Sequence, residues 1–141
     1  MYAPHTVSLI CFCHGEPRLS VLRGVMLQAS TGRSTLRRGD TEENDAVLYI
    51  PDFTGFLPPH EYAACPDPEN RWTLQAEGES AARFGFFVRG ELSEPLSLAE
   101  ARKRYDDVYI IAGYRVHDYG SENMRHIEVM SRVSSRYFYQ P

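Results

Sequence analysis

The stretch YIIAGYRVHDYGSENMRHIEVMSR, Tyr109–Arg132, supports two interpretations, and the choice between them determines which fold and which function the sequence predicts. Histidines, acids, a serine and tyrosines lie within a few residues, which suggests a catalytic cluster. Its flanks are rich in β-branched and aromatic residues, and Gly120 supplies a position that tolerates a positive φ. The pattern therefore also predicts two strands, Val108–Val116 and Arg125–Val133, joined by the turn HDYGSENM.

Side-chain alternation favours the hairpin. On a strand, His126 and Glu128 share one face while Ile127 and Val129 share the other. The apolar pair is expected to face a core, so the polar pair faces solvent or a partner. A catalytic hypothesis remains as the alternative, and no glycine-flanked nucleophile elbow or glycine-rich phosphate loop accompanies it. It would use His117, Asp118, Ser121, His126 and Glu128.

Other segments with β-branched, aromatic and apolar residues predict further strands. They are Thr6–Cys13, Leu19–Leu27, Ala46–Ile50 and Phe84–Glu91. Residues 15–17 are expected to close the first strand, and Gly24 is a candidate bulge. Ser97 and Glu100 form a capping-box pattern, which predicts one short helix. The sequence thus predicts a mainly β protein, a small β-barrel or sandwich with one short α-helix, as a single domain over residues 1–141.

Two long loops are expected, at about residues 29–45 and 52–80. The first carries a basic group, Arg33, Arg37 and Arg38, followed by acids. Such a loop is either solvated with internal pairing or an electrostatic docking surface. Aromatic residues in the second loop either anchor it to the body or bind another chain. They are Phe53, Phe56, Tyr62 and Trp72. The terminal aromatics Tyr137, Phe138 and Tyr139 are expected to dock on this domain or on a neighbour.

Composition narrows the classes of function. The 141 residues carry a formal charge of −4, which argues against general nucleic-acid binding. No apolar run is long enough to span a membrane, and the N-terminus does not resemble a signal peptide. An odd number of cysteines, three, fits a reducing compartment.

The segment Cys11–His14, CFCH, resembles half of a zinc site. Structural zinc requires four ligands, usually in paired spacings, and the remaining Cys65 lies alone among prolines. Buried free thiols are common in protein cores, so we expect core cysteines and no metal or other cofactor.

Six short motifs resemble small structural proteins of tailed phages and prophages, often called minor capsid or head–tail joining proteins. The motifs are VLRGV (21–25), LYIP (48–51), RWTLQ (71–75), FFVRGE (86–91), YDDVYII (105–111) and RVHDYGSENMRHIEV (115–129). The resemblance spans Val21–Val129. It includes neither CFCH nor the loop at residues 29–45.

The resemblance implies a non-enzymatic virion protein of the stopper, or head-closure, type. Such proteins form a ring beneath the portal and its adaptor, contact tail proteins and help to retain packaged DNA near the channel. They are assembled in the bacterial cytoplasm. The candidate partner-binding residues are Arg33, Arg37, Arg38, Phe53, Phe56, Trp72, His126, Tyr137, Phe138 and Tyr139. A tail terminator is the nearest alternative, and a small β-barrel hydrolase using His117, Asp118 and His126 is a further one.

Overall fold

The structure, a computed structural model, describes residues 3–29, 45–77, 84–120 and 124–134. Strands and helices follow one another in chain order. They are β1 (His5–Cys13), β2 (Glu16–Ala29), β3 (Ala46–Ile50), α1 (Pro59–Ala63), β4 (Phe86–Arg89), α2 (Leu98–Arg104), β5 (Tyr109–His117) and β6 (His126–Val133). Within these residues, no helix is both long and apolar enough to cross a membrane.

The strands close into a barrel in the order β1-β2-β3-β6-β5-β4, and neighbouring strands are antiparallel. Closure depends on β1 and β4, where Val7 pairs with Arg89. The Ser8 hydroxyl reinforces this seam, since it donates to the Gly90 carbonyl and accepts from the Leu92 amide, each at 2.8 Å. The predicted small β-barrel is therefore confirmed.

The barrel interior is filled by inward-facing strand residues and by side chains from the segment between β3 and β4. Tyr62 of α1 is 1% exposed, and Trp72 and Leu74 join the same cluster. Burial of a large apolar side chain stabilises a fold by roughly 1.5–3 kcal/mol, so this segment is part of the core. The predicted loop at residues 52–80 thus contains a short helix and core side chains. The described part of it ends at residue 77, and the predicted loop at residues 29–45 lies almost wholly outside the described residues.

A second apolar cluster lies between the outer face of the barrel and α2. Ala101 of α2 is fully buried against it, together with Phe86 and Ile110. Ser97 caps α2, because its side chain accepts a hydrogen bond from the Glu100 amide, as the capping-box pattern predicts. The helix α1 is an addition to the one helix predicted; it starts after Pro58 with Pro59 in its first turn.

The connection between β1 and β2 is tighter than the sequence predicted. Residues 15–17 were expected to close β1, but the turn consists of His14 and Gly15, and Glu16 and Pro17 already belong to β2. Both turn residues have positive φ, 53° and 82°, as a type I′ turn requires. Pro17 is accepted because its ring nitrogen points away from β1. Gly24 does form the predicted bulge, with φ of 71°, between residues that pair with His5 and Thr6.

The edge of β1 beyond its pairing with β4 is covered by a side chain. Gln75 accepts a hydrogen bond from the Phe12 amide and donates one to the Phe12 carbonyl, both at 2.8 Å. These two bonds imitate one step of a β-ladder. The backbone of the same segment is held too, since the Gln75 carbonyl accepts from Gly85 and the Glu77 amide donates to Ile111. We name this arrangement the Gln75 clamp.

Candidate functional site

The register of β5 and β6 assigns each hairpin residue to a face. Ile127 pairs with Val116, and Val129 pairs with Tyr114. Ile127 and Val129 are fully buried, whereas His126 and Glu128 are half-buried on the opposite face. The predicted division of this strand into an apolar inner face and a polar outer face is confirmed.

Two histidines meet on the outer face. His117 pairs with His126 across the strands, and their rings stack with centroids 4.6 Å apart and planes 17° from parallel. The Nε2 atom of His117 lies 3.4 Å from the Glu128 carboxylate, and its Nδ1 atom lies 3.2 Å from the Tyr119 hydroxyl. Both ring nitrogens of His117 therefore have polar neighbours, which fixes the orientation of the ring.

The tautomer of His126 follows from its neighbour. Its Nδ1 atom lies 3.0 Å from the Met124 carbonyl oxygen. A carbonyl oxygen only accepts hydrogen bonds, so Nδ1 carries the proton. In the neutral ring, Nε2 is then an acceptor. The ring of Tyr49 on β3 lies 6.1 Å from His126, which extends the aromatic surface onto a third strand.

Asp118 does not complete a catalytic triad with either histidine. It accepts a hydrogen bond from Arg125 Nε, and the Arg125 guanidinium lies over the Phe53 ring at 5.5 Å from its centroid. The carboxylate beside His117 is that of Glu128 instead. The arrangement can accept and pass a proton at His117, while Asp118 and Arg125 hold the base of the turn. Ser121, the nucleophile of the catalytic hypothesis, lies outside the described residues.

The end of this hairpin also presents apolar side chains to solvent. Among the described residues, the large hydrophobic side chains that are exposed are Val116, Tyr119 and Met124, at 42%, 66% and 58%. All three lie at the β5–β6 connection, and we call them the hairpin tip. Sequence reasoning missed them because it assigned the turn a purely backbone role. The signal was a tyrosine and a methionine among residues that otherwise favour turns.

The aromatic residues between β3 and β4 pack mainly against the barrel. The Phe56 ring lies 5.3 Å from Trp72 and 5.8 Å from Tyr114. Trp72 is 4% exposed, and its Nε1 donates to the Thr54 carbonyl at 3.1 Å. Trp72 therefore anchors this segment to the barrel, because too little of its side chain is exposed to bind another chain. A partner contact by the half-buried Phe53 and Phe56 stays a prediction.

Several predicted site residues lie outside the described residues, and their contact functions stay predictions. They are Arg33, Arg37, Arg38, Tyr137, Phe138 and Tyr139. His126 is among the described residues, and its hydrogen bond to the Met124 carbonyl places it next to the hairpin tip.

The cysteines of CFCH face the core. Cys11 is fully buried and donates its thiol hydrogen to the Tyr62 hydroxyl at 3.7 Å. Burial raises the pKa of both the Cys11 thiol and the Tyr62 hydroxyl. Cys13 is buried as well, whereas Cys65 is half-buried and donates to the Asp67 carbonyl. In the part of the chain that the structure describes, no three His, Cys, Asp or Glu side chains are grouped to hold a metal ion.

Comparison with known proteins places the chain in a family. Neither a curated protein nor a solved structure matches it. A family model described as "Family of unknown function (DUF6751)" matches residues 18–132, from the start of β2 almost to the end of β6. Because this match includes most of the chain, the protein belongs to the DUF6751 family.

Proposed function

We propose that the protein is a structural virion subunit of a tailed bacteriophage or prophage, a head–tail connector of the stopper type. It joins head to tail as one subunit of a ring and helps to retain packaged DNA. The motifs between Val21 and Val129 that resemble head–tail joining proteins support this proposal. So does the small β-barrel, which is the fold that the resemblance implies.

The observation that carries the proposal is the hairpin tip. Exposed apolar side chains are costly in water, and clusters of them mark contact surfaces. Tyr119 and Met124 are both more than half exposed. Met124 lies beside Gly120, the residue that follows Tyr119, since a Cβ atom at Gly120 would be 3.4 Å from the Met124 sulfur. Tyrosine is enriched in protein interfaces, and methionine adapts to irregular partners. The hairpin tip is therefore suited to insert into a neighbouring subunit or a portal, adaptor or tail protein.

The surroundings of the hairpin tip suit a rigid contact. The histidine stack, the His117–Glu128 contact and the Asp118–Arg125 pair hold both strand ends beside the turn. A preorganised surface loses less conformational entropy when it binds. In a ring, each hairpin would contact a different surface of the next subunit, as head-to-tail assembly requires.

The test is electron microscopy of lysates from a prophage that lacks this gene, complemented with variants. The gene deletion is expected to give heads without DNA beside separate normal tails. Wild-type protein should restore particles, and Tyr119→Asp/Met124→Asp should not. A matched control, Ala63→Asp/Ala99→Asp, adds the same charge at exposed positions of the two helices and should restore them. Full heads with tails of irregular length would indicate a tail terminator, and normal particles without the gene would overturn the connector proposal.

A hydrolase is the second candidate, favoured by one observation, the His117 imidazole beside the Glu128 carboxylate. Such a pair is typical of general-base catalysis. Substitution of His117 and His126 by alanine separates the two candidates. A connector predicts folded protein whose particle yield falls only modestly, because the histidines stiffen the hairpin tip without supplying its exposed apolar contacts, whereas a hydrolase predicts lost turnover with an intact fold.

A further inference from the structure

The first half of β2 directs backbone groups away from β1. The two-residue turn makes Cys13 and Glu16 a hydrogen-bonded pair, and in an antiparallel ladder such pairs alternate with non-bonded ones. Residues in non-bonded pairs point their N–H and C=O groups outward. On β1 this rule predicts an outward Phe12, and Gln75 does bind both of its backbone groups. On β2 the outward residues are Pro17, Leu19, Val21 and Arg23.

Within the described residues, no strand meets this half of β2 on its outward side. The strand β3 pairs with β2 only over Met26–Ala29. Pro51 ends β3 at this point, and the Gly24 bulge bends β2. Extension of the register would place the next residues of β3 beside residues 23 and 24, but the chain turns away at Asp52. The place beside the first half of β2, where a neighbouring strand would pair, is therefore not filled by any described strand.

A groove occupies that position. It has a volume of about 400 Å³ and lies between residues 18–23 and the segment after β3. Its far wall is formed by Asp52, Thr54, Pro68, Asn70 and Arg71. We call it the β2 groove. Such a volume lies in the range of ligand-binding clefts.

The far wall is firmly held. Trp72 Nε1 donates to the Thr54 carbonyl, and the Arg71 side chain donates to the Gly55 carbonyl. Gly55 approaches Asn70 so closely that a Cβ atom would lie 2.8 Å from the Asn70 carbonyl oxygen. The groove is thus a formed feature with two fixed walls.

Positive charge dominates the β2 groove. Three guanidinium groups line it, those of Arg18, Arg23 and Arg71, against one carboxylate, that of Asp52. Arg23 is paired with Glu91, and Asp52 accepts hydrogen bonds from the Thr54 hydroxyl and amide. The groove therefore retains a positive excess that acidic side chains would match.

The charge also disfavours self-pairing along this edge. Two copies that met along this edge would each bring the β2 arginines, Arg18 and Arg23, to the same interface. Like charges gathered in one interface repel each other. An acidic strand from another protein would instead be attracted to these arginines.

We propose that the open edge of β2 binds an extended acidic segment of a partner protein as an added β-strand. Backbone pairing with Leu19, Val21 and Arg23 would supply affinity, and Arg18 and Arg71 would select Asp or Glu at alternate positions. This proposal does not rest on the virion function, because none of the residues that line the groove belongs to the hairpin tip.

The test uses the whole purified protein and a fluorescent, end-blocked heptapeptide, Thr-Glu-Val-Glu-Val-Glu-Thr. Binding is followed by fluorescence anisotropy, and the site by amide chemical shifts and hydrogen exchange. We expect saturable binding that protects the amides of Leu19, Val21 and Arg23. The same peptide with N-methyl groups on alternate residues keeps its charge but loses one hydrogen-bonding edge. It should bind at least about tenfold more weakly.

Charge is tested on both partners. A peptide with lysine in place of glutamate should bind at least about tenfold more weakly, as should the acidic peptide to Arg18→Glu/Arg71→Glu. The matched control, Arg104→Glu/Arg115→Glu, makes the same charge change at exposed positions outside the groove and should bind like the wild type. Equal binding of the N-methylated or lysine peptide would overturn the proposal, as would no binding or perturbed amides elsewhere. Self-association abolished by Val21→Pro would also overturn it, because the occupant would then be a second copy.

Discussion

The β1–β2 hairpin has two outer edges, and they differ in what lies against them. On the β1 edge, Phe12 extends beyond the pairing with β4, and the Gln75 clamp binds both of its backbone groups. On the β2 edge, residues 18–23 line the β2 groove, and none of its other lining residues pairs with β2 as a strand. Unpaired edges are liabilities that proteins usually cover. Among the described residues, the β1 edge is covered and the β2 edge is lined only by a positively charged groove, so the β2 edge is the one that we expect to bind.

The largest expected effect is a difference in stability between proline variants at the two kinds of β2 amide, those bonded to β1 and those pointing outward. Ser20→Pro removes an amide from the ladder with β1, so it should lower the free energy of unfolding by roughly 3 kcal/mol or more. Val21→Pro removes only an outward amide and should stay within about 1 kcal/mol of the wild type. Urea denaturation measures both. Similar losses in the two variants would mean that the outward amide already has a partner.

Removal of the Gln75 clamp should cost less than removal of the ladder bond. Gln75→Ala leaves the Phe12 amide and carbonyl without their partners, so a loss of about 1–3 kcal/mol is expected in the free energy of unfolding. The matched control is Gln28→Ala on the exposed face of β2, expected to change stability by less than about 0.5 kcal/mol. Hydrogen exchange at Phe12 should accelerate only in the Gln75 variant. Equal losses in the two variants would contradict the clamp.

A neighbour of the clamp offers a gain in stability. Thr73 is fully buried, and its hydroxyl has no hydrogen-bond partner among the described residues. Thr73→Val should therefore raise the free energy of unfolding by up to about 1 kcal/mol. In the control, Thr54→Val, the hydroxyl that donates to Asp52 is lost, so stability should fall slightly. Thermal denaturation of both variants checks the opposite signs, and destabilisation by Thr73→Val would refute the prediction.

The smallest expected effect concerns Glu77, which lies two residues after Gln75. Glu77 accepts two hydrogen bonds from Arg132, at 2.8 and 2.7 Å, and these bonds lower the pKa of its carboxyl. A lowered pKa in the folded state stabilises the protein above the unfolded-state pKa, and this contribution disappears as the pH falls through the folded-state pKa. For this partly exposed pair, Glu77→Gln should cost about 0.5 kcal/mol at neutral pH, and this cost should shrink as the pH falls below the ordinary glutamate pKa of 4.5. A difference that persists in acid would assign the effect to packing.

The sequence predicted local features better than long-range ones. Alternation in β6 predicted which residues face the core, and the capping box predicted the start of α2, since both depend on near neighbours. The Gln75 clamp was not predicted, because it joins residues 63 positions apart.

The candidate site follows the same rule. His126 was expected on the outer face, yet its stacking on His117 depends on the register of β5 and β6. The register of two paired strands depends on the geometry of the turn between them, and a turn with many turn-forming residues is compatible with several registers. The β2 groove depends on where β3 leaves the barrel. The predicted strand Ala46–Ile50 ends where β3 ends, but the path of the chain beyond that strand was not predicted.

Closure of the barrel has a consequence for synthesis. The seam between β1 and β4 includes the Ser8–Gly90 hydrogen bond, which joins residues 82 positions apart. Chains grow at about 5–20 residues per second, so β1 waits roughly 4–16 s for its second neighbour. The β1–β2 hairpin itself forms within microseconds. For those seconds the outer edge of β1 has no strand beside it, and the ribosome-bound chain is exposed to aggregation or to capture by a chaperone.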